Sequence, residues 1–321
     1  WEVWLRPDAD AVDLAHEFAN RAQLRSAPNH LRFDRRHVVW IEARWDQLQS
    51  LPFTAVPITE IRRPQFTDTV QDLDVGEQME WTEDLAGRIV PAATTAPAVC
   101  LLDTGVRRTH VLLEASLAEA DMHSIVGEPS GDLHGHGTLM AGLALIGSLD
   151  DALLGNHTVT LRHRLESVKF LPDKGKTPHD PLAYGVVTAE AVARPAIAHE
   201  RRRVFCMPIT NLADRTGEPS LWSAAIDALA AGTDVGRSDS GIELLGPPDP
   251  DAARLLIVSA GNIRDGFDLD YRRLADLSPI EDPAQSWNAL TVAASTELTE
   301  VPTDPTYAGW NPVADKGDVS P

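Results

Sequence analysis

The sequence predicts an α/β protein: a mostly parallel sheet with helices on both faces, plus a small N-terminal α+β module. Three observations predict it. Apolar runs of strand length recur at 98–102, 165–171, 204–210, 255–259 and 289–294, and such unbroken runs suit strands buried on both faces. Segments of helical character, at 136–146, 182–200 and 220–231, separate most of these runs, which is the alternation of a covered parallel sheet. The first 64 residues follow a different order, of short alternating strands and brief helices. A chain of 321 residues, 43% hydrophobic and 24% charged, is long enough for one large core and a second small one.

Taken in order, Trp1 to Arg6 alternates as a strand, and Asp8 or Asp10 can cap a helix over 11–23, where Val12, Ala15, Phe18 and Ala19 share a face. Leu31 to Phe33 and His37 to Glu42 read as a hairpin, Trp45 to Leu51 as a short helix and Val56 to Ile61 as a last strand. This βαββαβ order is that of a ferredoxin-like module over residues 1–64. Residues 65–97 are polar, acidic and rich in Pro and Ala, and read as a linker. The main domain then covers 98–321. After the Ala98 strand come a short helix at Leu112 to Ala120, a strand and loop to Leu133, a helix from His136, a variable stretch over 149–162 and the Leu165 strand. Pro195 interrupts the helix expected over 182–200. The strand at 204–210, a helix at 220–231, an inserted Gly/Pro/Asp-rich loop at 232–253 and the strands at 255–259 and 289–294 complete it.

A formal charge of −20 argues against binding to a nucleic-acid backbone, which requires clustered Lys and Arg. No apolar run reaches the roughly 18 residues a membrane helix needs, and no basic-then-apolar signal segment is visible. Cys100 and Cys206 both lie in apolar strand-like runs and read as buried free thiols rather than a bridge. The unbridged thiols and the lack of a visible signal favour the cytoplasm over secretion.

The chemistry concentrates at Asp132-Leu133-His134-Gly135-His136-Gly137-Thr138, where a glycine-rich turn runs into an apolar helix and holds one imidazole at its first turn. Such a fixed, neutral imidazole suits a general base. Asp103 ends the Ala98 strand and can orient it. Leu255 to Asn262 is a second apolar run, ending in Ser-Ala-Gly-Asn with a carboxamide just past a strand. Ligands in parallel sheets sit at the carboxyl ends of strands, where Asp103, Thr210 and Asn262 all fall.

The ordered patterns Asp-Thr-Gly-Val at 103, His-Gly-Thr at 136 and Ser-Ala-Gly-Asn ending at 262 resemble the subtilisin-like serine peptidases, or subtilases. The resemblance implies a subtilisin-like sheet for the main domain, with Asp103 and His136 as triad aspartate and histidine and Asn262 as the oxyanion-hole asparagine. It also implies a polypeptide substrate, whose backbone and preceding side chain would meet Pro208, Ile209 and Thr210, although the family's Ser-Leu-Gly is missing there. The family's nucleophile stands in a Gly-Thr-Ser motif after the asparagine. No Gly-Thr-Ser occurs in this sequence, where Gly-Thr is found only at 137–138 and 232–233. The expectation is therefore a serine endopeptidase domain incomplete at its C-terminal end, its serine beyond residue 321 and the 321-residue chain inert alone. By the same resemblance the N-terminal module is prodomain-like, with a fused adaptor as the plainer alternative. Some intracellular members act beside a partner ATPase. No cofactor is required. Structural calcium, which many subtilases hold, has candidate loops at 265–270 and 300–304, where solvated surface charge is the plainer reading.

Three rivals stand beside this reading. A degenerate subtilase could serve as a binding or regulatory module. Asp132, His134 and His136 could ligate zinc in a metallohydrolase. Asp103-Thr104-Gly105 and Asp239-Ser240-Gly241 could be paired aspartic-peptidase motifs, although the second follows no apolar strand.

Overall fold

The computed structural model describes residues 1–33, 35–62, 73–198, 200–211, 217–238, 241–262, 277–295, 301, 309 and 311. The chain divides into two compact units. One comprises Trp1–Ala92, Thr109–Ser116 and Gly142–Arg162, and the other Ala93–Arg108, Leu117–Ala141 and His163–Pro321.

The first unit is built on β1 (Glu2–Leu5), α1 (Ala11–Arg21), β2 (Arg25–Arg32), β3 (His37–Glu42), α2 (Trp45–Leu48) and β4 (Ile58–Arg62). The strands form an antiparallel sheet in the order β2-β3-β1-β4, the ferredoxin-like arrangement expected from the element order. Because strand side chains alternate, Val3, Leu5, Val39 and Ile41 face one side, where they pack with Ala11, Ala15 and Ala19 of α1. Trp4 and Val38 face the other, and they too are buried.

Their cover comes from a segment expected to be linker. Residues 75–88 form helix α3 (Val75–Arg88), started by Asp74, whose carboxylate accepts from the backbone N–H groups of Gly76 and Glu77. Trp81 and Leu85 of α3 join Trp4, Leu31, Phe33 and Val38 in one core, with Leu112, Ala152 and Leu153 from the two later segments of this unit. Arg62 lies over the Trp4 ring, 4.4 Å from its centroid, and bonds Glu77 of α3 at 2.6 Å. Within the same unit β5 (Ile89–Val90) pairs in parallel with β8 (Val159–Thr160), and α5 (Leu149–Leu154) precedes β8.

The second unit holds a six-stranded sheet in the order β14-β13-β10-β6-β9-β7, every pair parallel. Its strands are β6 (Ala98–Asp103), β7 (Met122–Ser124), β9 (Arg164–Lys169), β10 (Arg203–Met207), β13 (Leu255–Ser259) and β14 (Leu290–Val292). Its helices are α6 (Tyr184–Ala198) and α7 (Leu221–Ala230), with the start of α4 (His136–Ile146), whose residues from Gly142 on belong to the first unit. Cys100, Leu102, Val168, Phe205, Met207, Leu256 and Val258 project from the sheet into one core with Val192 of α6 and Trp222, Ile226 and Leu229 of α7. Trp222 stacks on Phe170 with centroids 6.3 Å apart, and its indole N–H donates to Thr188 Oγ1 at 2.8 Å.

Three further expectations are corrected here. Residues 112–120 form successive turns and a short 3₁₀ turn at Glu119–Asp121 instead of a helix. The inserted loop at 232–253 carries a hairpin, β11 (Val235–Ser238) and β12 (Gly241–Leu244), with Val235 packed against Ala225 and Ala228 of α7. Helix α6 continues through Pro195, whose carbonyl accepts from the Arg203 guanidinium at 2.8 Å.

Candidate active site

Chain order places the site. From β6 the chain builds β7 and β9 on one side, then crosses to begin β10 on the other, so the direction of winding reverses between β6 and β10. Such a switch point opens a crevice at the strands' carboxyl ends. Asp103 is the last residue of β6, Thr210 lies three residues past β10, and Asn262 three residues past β13.

Asp103 and His136 meet. The imidazole Nδ1–H donates to the Asp103 carboxylate, 2.9 Å from Oδ1 and 2.8 Å from Oδ2. Asp103 is 1% exposed, whereas the His136 side chain is 51% exposed, so the carboxylate is enclosed behind an imidazole whose far side is open. The hydrogen bond from Asp103 raises the His136 pKa above its ordinary value; burial opposes the rise, and the charges of Asp103 and Asp132 add to it.

A scaffold holds this pair. Asp132 Oδ1 accepts from Thr104 Oγ1 at 3.0 Å and from the N–H groups of His134 and Gly135 at 2.8 and 2.9 Å. Its Oδ2 accepts from Thr138 N–H at 2.9 Å and Thr138 Oγ1 at 2.6 Å. Burial disfavours the Asp132 charge, but these donors outweigh it and hold its pKa below the usual carboxylate range. Thr104 Oγ1 in turn accepts from Gly137 N–H at 3.0 Å, so the residue after Asp103 and the residue after His136 are bound together. Gly137 is required by this closeness: a Cβ there would lie 2.1 Å from the Gly105 carbonyl oxygen. Lys169, buried at the end of β9 in register with Asp103, bonds Asp173 at 2.7 Å and the Gly131 carbonyl at 3.1 Å, which anchors the loop before Asp132.

Asn262 is exposed at the same edge of the sheet, after Gly261 with φ +108°. Of the residues expected to meet substrate, Ile209 is turned into the core, Pro208 is half-buried, and the half-buried Thr210 donates its hydroxyl to the Glu281 carboxylate. The zinc reading is corrected. Asp132 spends both oxygens on the loop and helix start, His136 faces Asp103, and no group of three metal-ligating side chains gathers among the described residues. The aspartic-peptidase reading meets a wholly parallel sheet where an almost all-β fold was needed, and Asp239 and Ser240 lie outside the described residues. So do the candidate calcium loop at 265–270 and most of that at 300–304. Both cysteines are free, Cys100 buried and Cys206 partly so. Burial and then the Asp103 charge push the Cys206 thiol up to about 11, the opposite of what a nucleophile needs.

The model of the subtilase family matches residues 94–321. The chain belongs to the subtilase family. Among solved structures, this subtilase is similar to an S41 psychrophilic protease, at 22% identity and TM-score 0.40, covering 65% of this chain and 57% of that one. It is also similar to the epidermin leader peptide processing serine protease (EpiP) from Staphylococcus aureus, at 13% identity and TM-score 0.38, covering 94% of this chain and 70% of that one. The chain thus spans little more than half the length of the first of these. No curated protein matches it.

Sequence reasoning missed three parts of this subtilase site: the clamp role of Asp132, the anchor Lys169 and the carboxylate of Glu281. A charged residue inside an apolar strand, as in Leu165-Glu166-Ser167-Val168-Lys169-Phe170, was the available signal for Lys169. Asp132 and Glu281 carry no comparable pattern.

Proposed function

We propose that this subtilase is a serine endopeptidase in which Asp103 and His136 act on a serine supplied from beyond residue 321. The observation that carries the reading is the 2.8 Å contact between His136 Nδ1 and a carboxylate 1% exposed, behind an imidazole open on its far side. In this scheme Asp103 holds the proton on Nδ1 and leaves Nε2 free to take the serine proton. The alkoxide attacks the peptide carbonyl, the Asn262 carboxamide donates to the oxyanion, and His136 then returns the proton to the leaving amine. Water repeats the cycle on the acyl-enzyme. Asp132 is a positioning residue, since its bonds run to Thr104 and the start of α4 and not toward substrate.

The N-terminal module is assigned a prodomain-like role by the family's usual architecture. Hydrolysis of an unfolded protein substrate by the serine-bearing protein tests the main reading. Activity is expected in that protein, and neither in its His136→Ala variant nor in the 321-residue chain alone. Undiminished hydrolysis by the 321-residue chain with His136 replaced overturns it.

A further inference from the structure

We infer that residues 1–62 are a permanent part of the working subtilase and not a prodomain that is shed. The inference refines the prodomain-like assignment above, and its activity arm rests on the peptidase reading.

The N-terminal sheet has two apolar faces with different covers. On one face Val3, Leu5, Val39 and Ile41 pack with α1, so that core is closed by residues of the module itself. On the other, Leu31 lies opposite Val38 and Val38 opposite Trp4 across β2, β3 and β1, which makes one apolar row. Apart from Phe33 and Trp40, the neighbours of this row in its core come from outside the module, among them Trp81 and Leu85 of α3, Leu112, and Ala152 and Leu153 of α5. Leu112, Ala152 and Leu153 lie within 94–321, the stretch that the subtilase model matches. The second core of the module is therefore built jointly with peptidase sequence.

Polar contacts follow the same seam. Arg62 bonds Glu77 of α3 at 2.6 Å, and Arg36 lies 3.4 Å from Glu80. Helix α3 is held in turn by later sequence: the Arg88 guanidinium donates to the Ala152 and His157 carbonyls at 2.9 and 3.0 Å, and β5 pairs with β8.

A cover that is shed must leave surfaces that tolerate water. Departure of residues 1–62 would bare Trp4, Leu31 and Val38, each at most 3% exposed, on one piece, and Trp81, Leu85 and Leu112, at most 6% exposed, on the other. Large side chains buried on both sides mark a partner that stays, since such an interface resembles a domain core cut in two. So short a sheet, covered on one face alone, is also marginal by itself.

The experiment places a site for a sequence-specific protease between Arg62 and Leu73 of the serine-bearing protein. After cutting, the two pieces are expected to elute together in size-exclusion chromatography and to unfold in one urea transition. This association arm uses the His136→Ala protein, so it reads the same whether or not the peptidase reading holds. Leu112→Ala lies outside the module and leaves its own folding alone, yet is expected to weaken retention of the cut piece at least about tenfold. In the activity arm, hydrolysis of a short peptide by the cut protein is expected to match that of the uncut one. A cut piece that departs and leaves the remainder soluble and folded overturns the inference. So does retention untouched by Leu112→Ala, or hydrolysis that rises when the bound piece is digested away. Failure of cut and uncut protein alike to hydrolyse any peptide or unfolded protein overturns the peptidase reading instead, and the association arm then decides the inference alone.

Discussion

At the scale of single residues, function turns on how one carboxylate is kept and one imidazole is left accessible. Asp103 raises the His136 pKa, so the protonated imidazole is favoured in the folded protein. The sign follows: its stabilising contribution is fully present below the ordinary histidine value of about 6.5 and is lost as pH rises through the raised value. The proposed mechanism needs the neutral form. The pH profile of kcat/KM is therefore expected to climb to a plateau through an apparent pKa above 6.5, and Asp103→Asn to move that midpoint to lower pH while reducing kcat by about 10⁴-fold. A midpoint that stays put in the variant contradicts the pairing. Asp132 makes a separate prediction. Asp132→Ala removes the acceptor for five donors at the start of α4 and is expected to cost about 1–3 kcal/mol of stability in urea unfolding, with a loss of kcat as His136 is freed to wander.

At the scale of elements, α4 delivers the histidine and its first turn must lie on the backbone after β6. Gly137→Ala brings a methyl onto the Gly105 carbonyl and is expected to push His136 by a fraction of an ångström to an ångström, reducing kcat about 10²-fold with little change in affinity for peptide. In the core of the second unit, Trp222→Ala opens the packing of α6, α7 and the sheet and is expected to destabilise by about 3–5 kcal/mol in denaturant unfolding, without altering the pH midpoint of what activity remains. These elements also mark what the sequence could disclose. The parallel strands were legible because each is a continuous apolar run buried on both faces. The ferredoxin-like module was legible from strand alternation and helical spacing. Helix α3 was not, because only Trp81 and Leu85 are fully buried along its 14 residues and the rest reads as solvated polar chain. The clue lay elsewhere, in Trp4, Phe33 and Val38, which are apolar on the face turned from α1 and needed a cover. The β11–β12 hairpin escaped for a similar reason, its strands being four residues each and rich in glycine and charge. At the site, the contact between Asp103 and His136 was legible from strand and helix context, whereas no local sequence pattern places Glu281 against Thr210.

At the scale of the whole molecule, the six-stranded parallel sheet brings the ends of distant sequence segments to one edge, with the reversal of winding beside Asp103. The formal charge of −20 adds a long-range field to that local arrangement. For cationic peptides kcat/KM is expected to fall as ionic strength rises from about 0.01 to 0.15 M, where the screening length shrinks from roughly 30 to 8 Å. A salt-independent rate contradicts steering by that field. The central claim is that His136, held by Asp103, activates a serine outside these 321 residues. Labelling the serine-bearing protein with a fluorophosphonate and locating the adduct by mass spectrometry tests it most directly. The expected result is one modified serine beyond residue 321, its labelling abolished by His136→Ala; a modified residue within the 321, or labelling that persists without the imidazole, would contradict it.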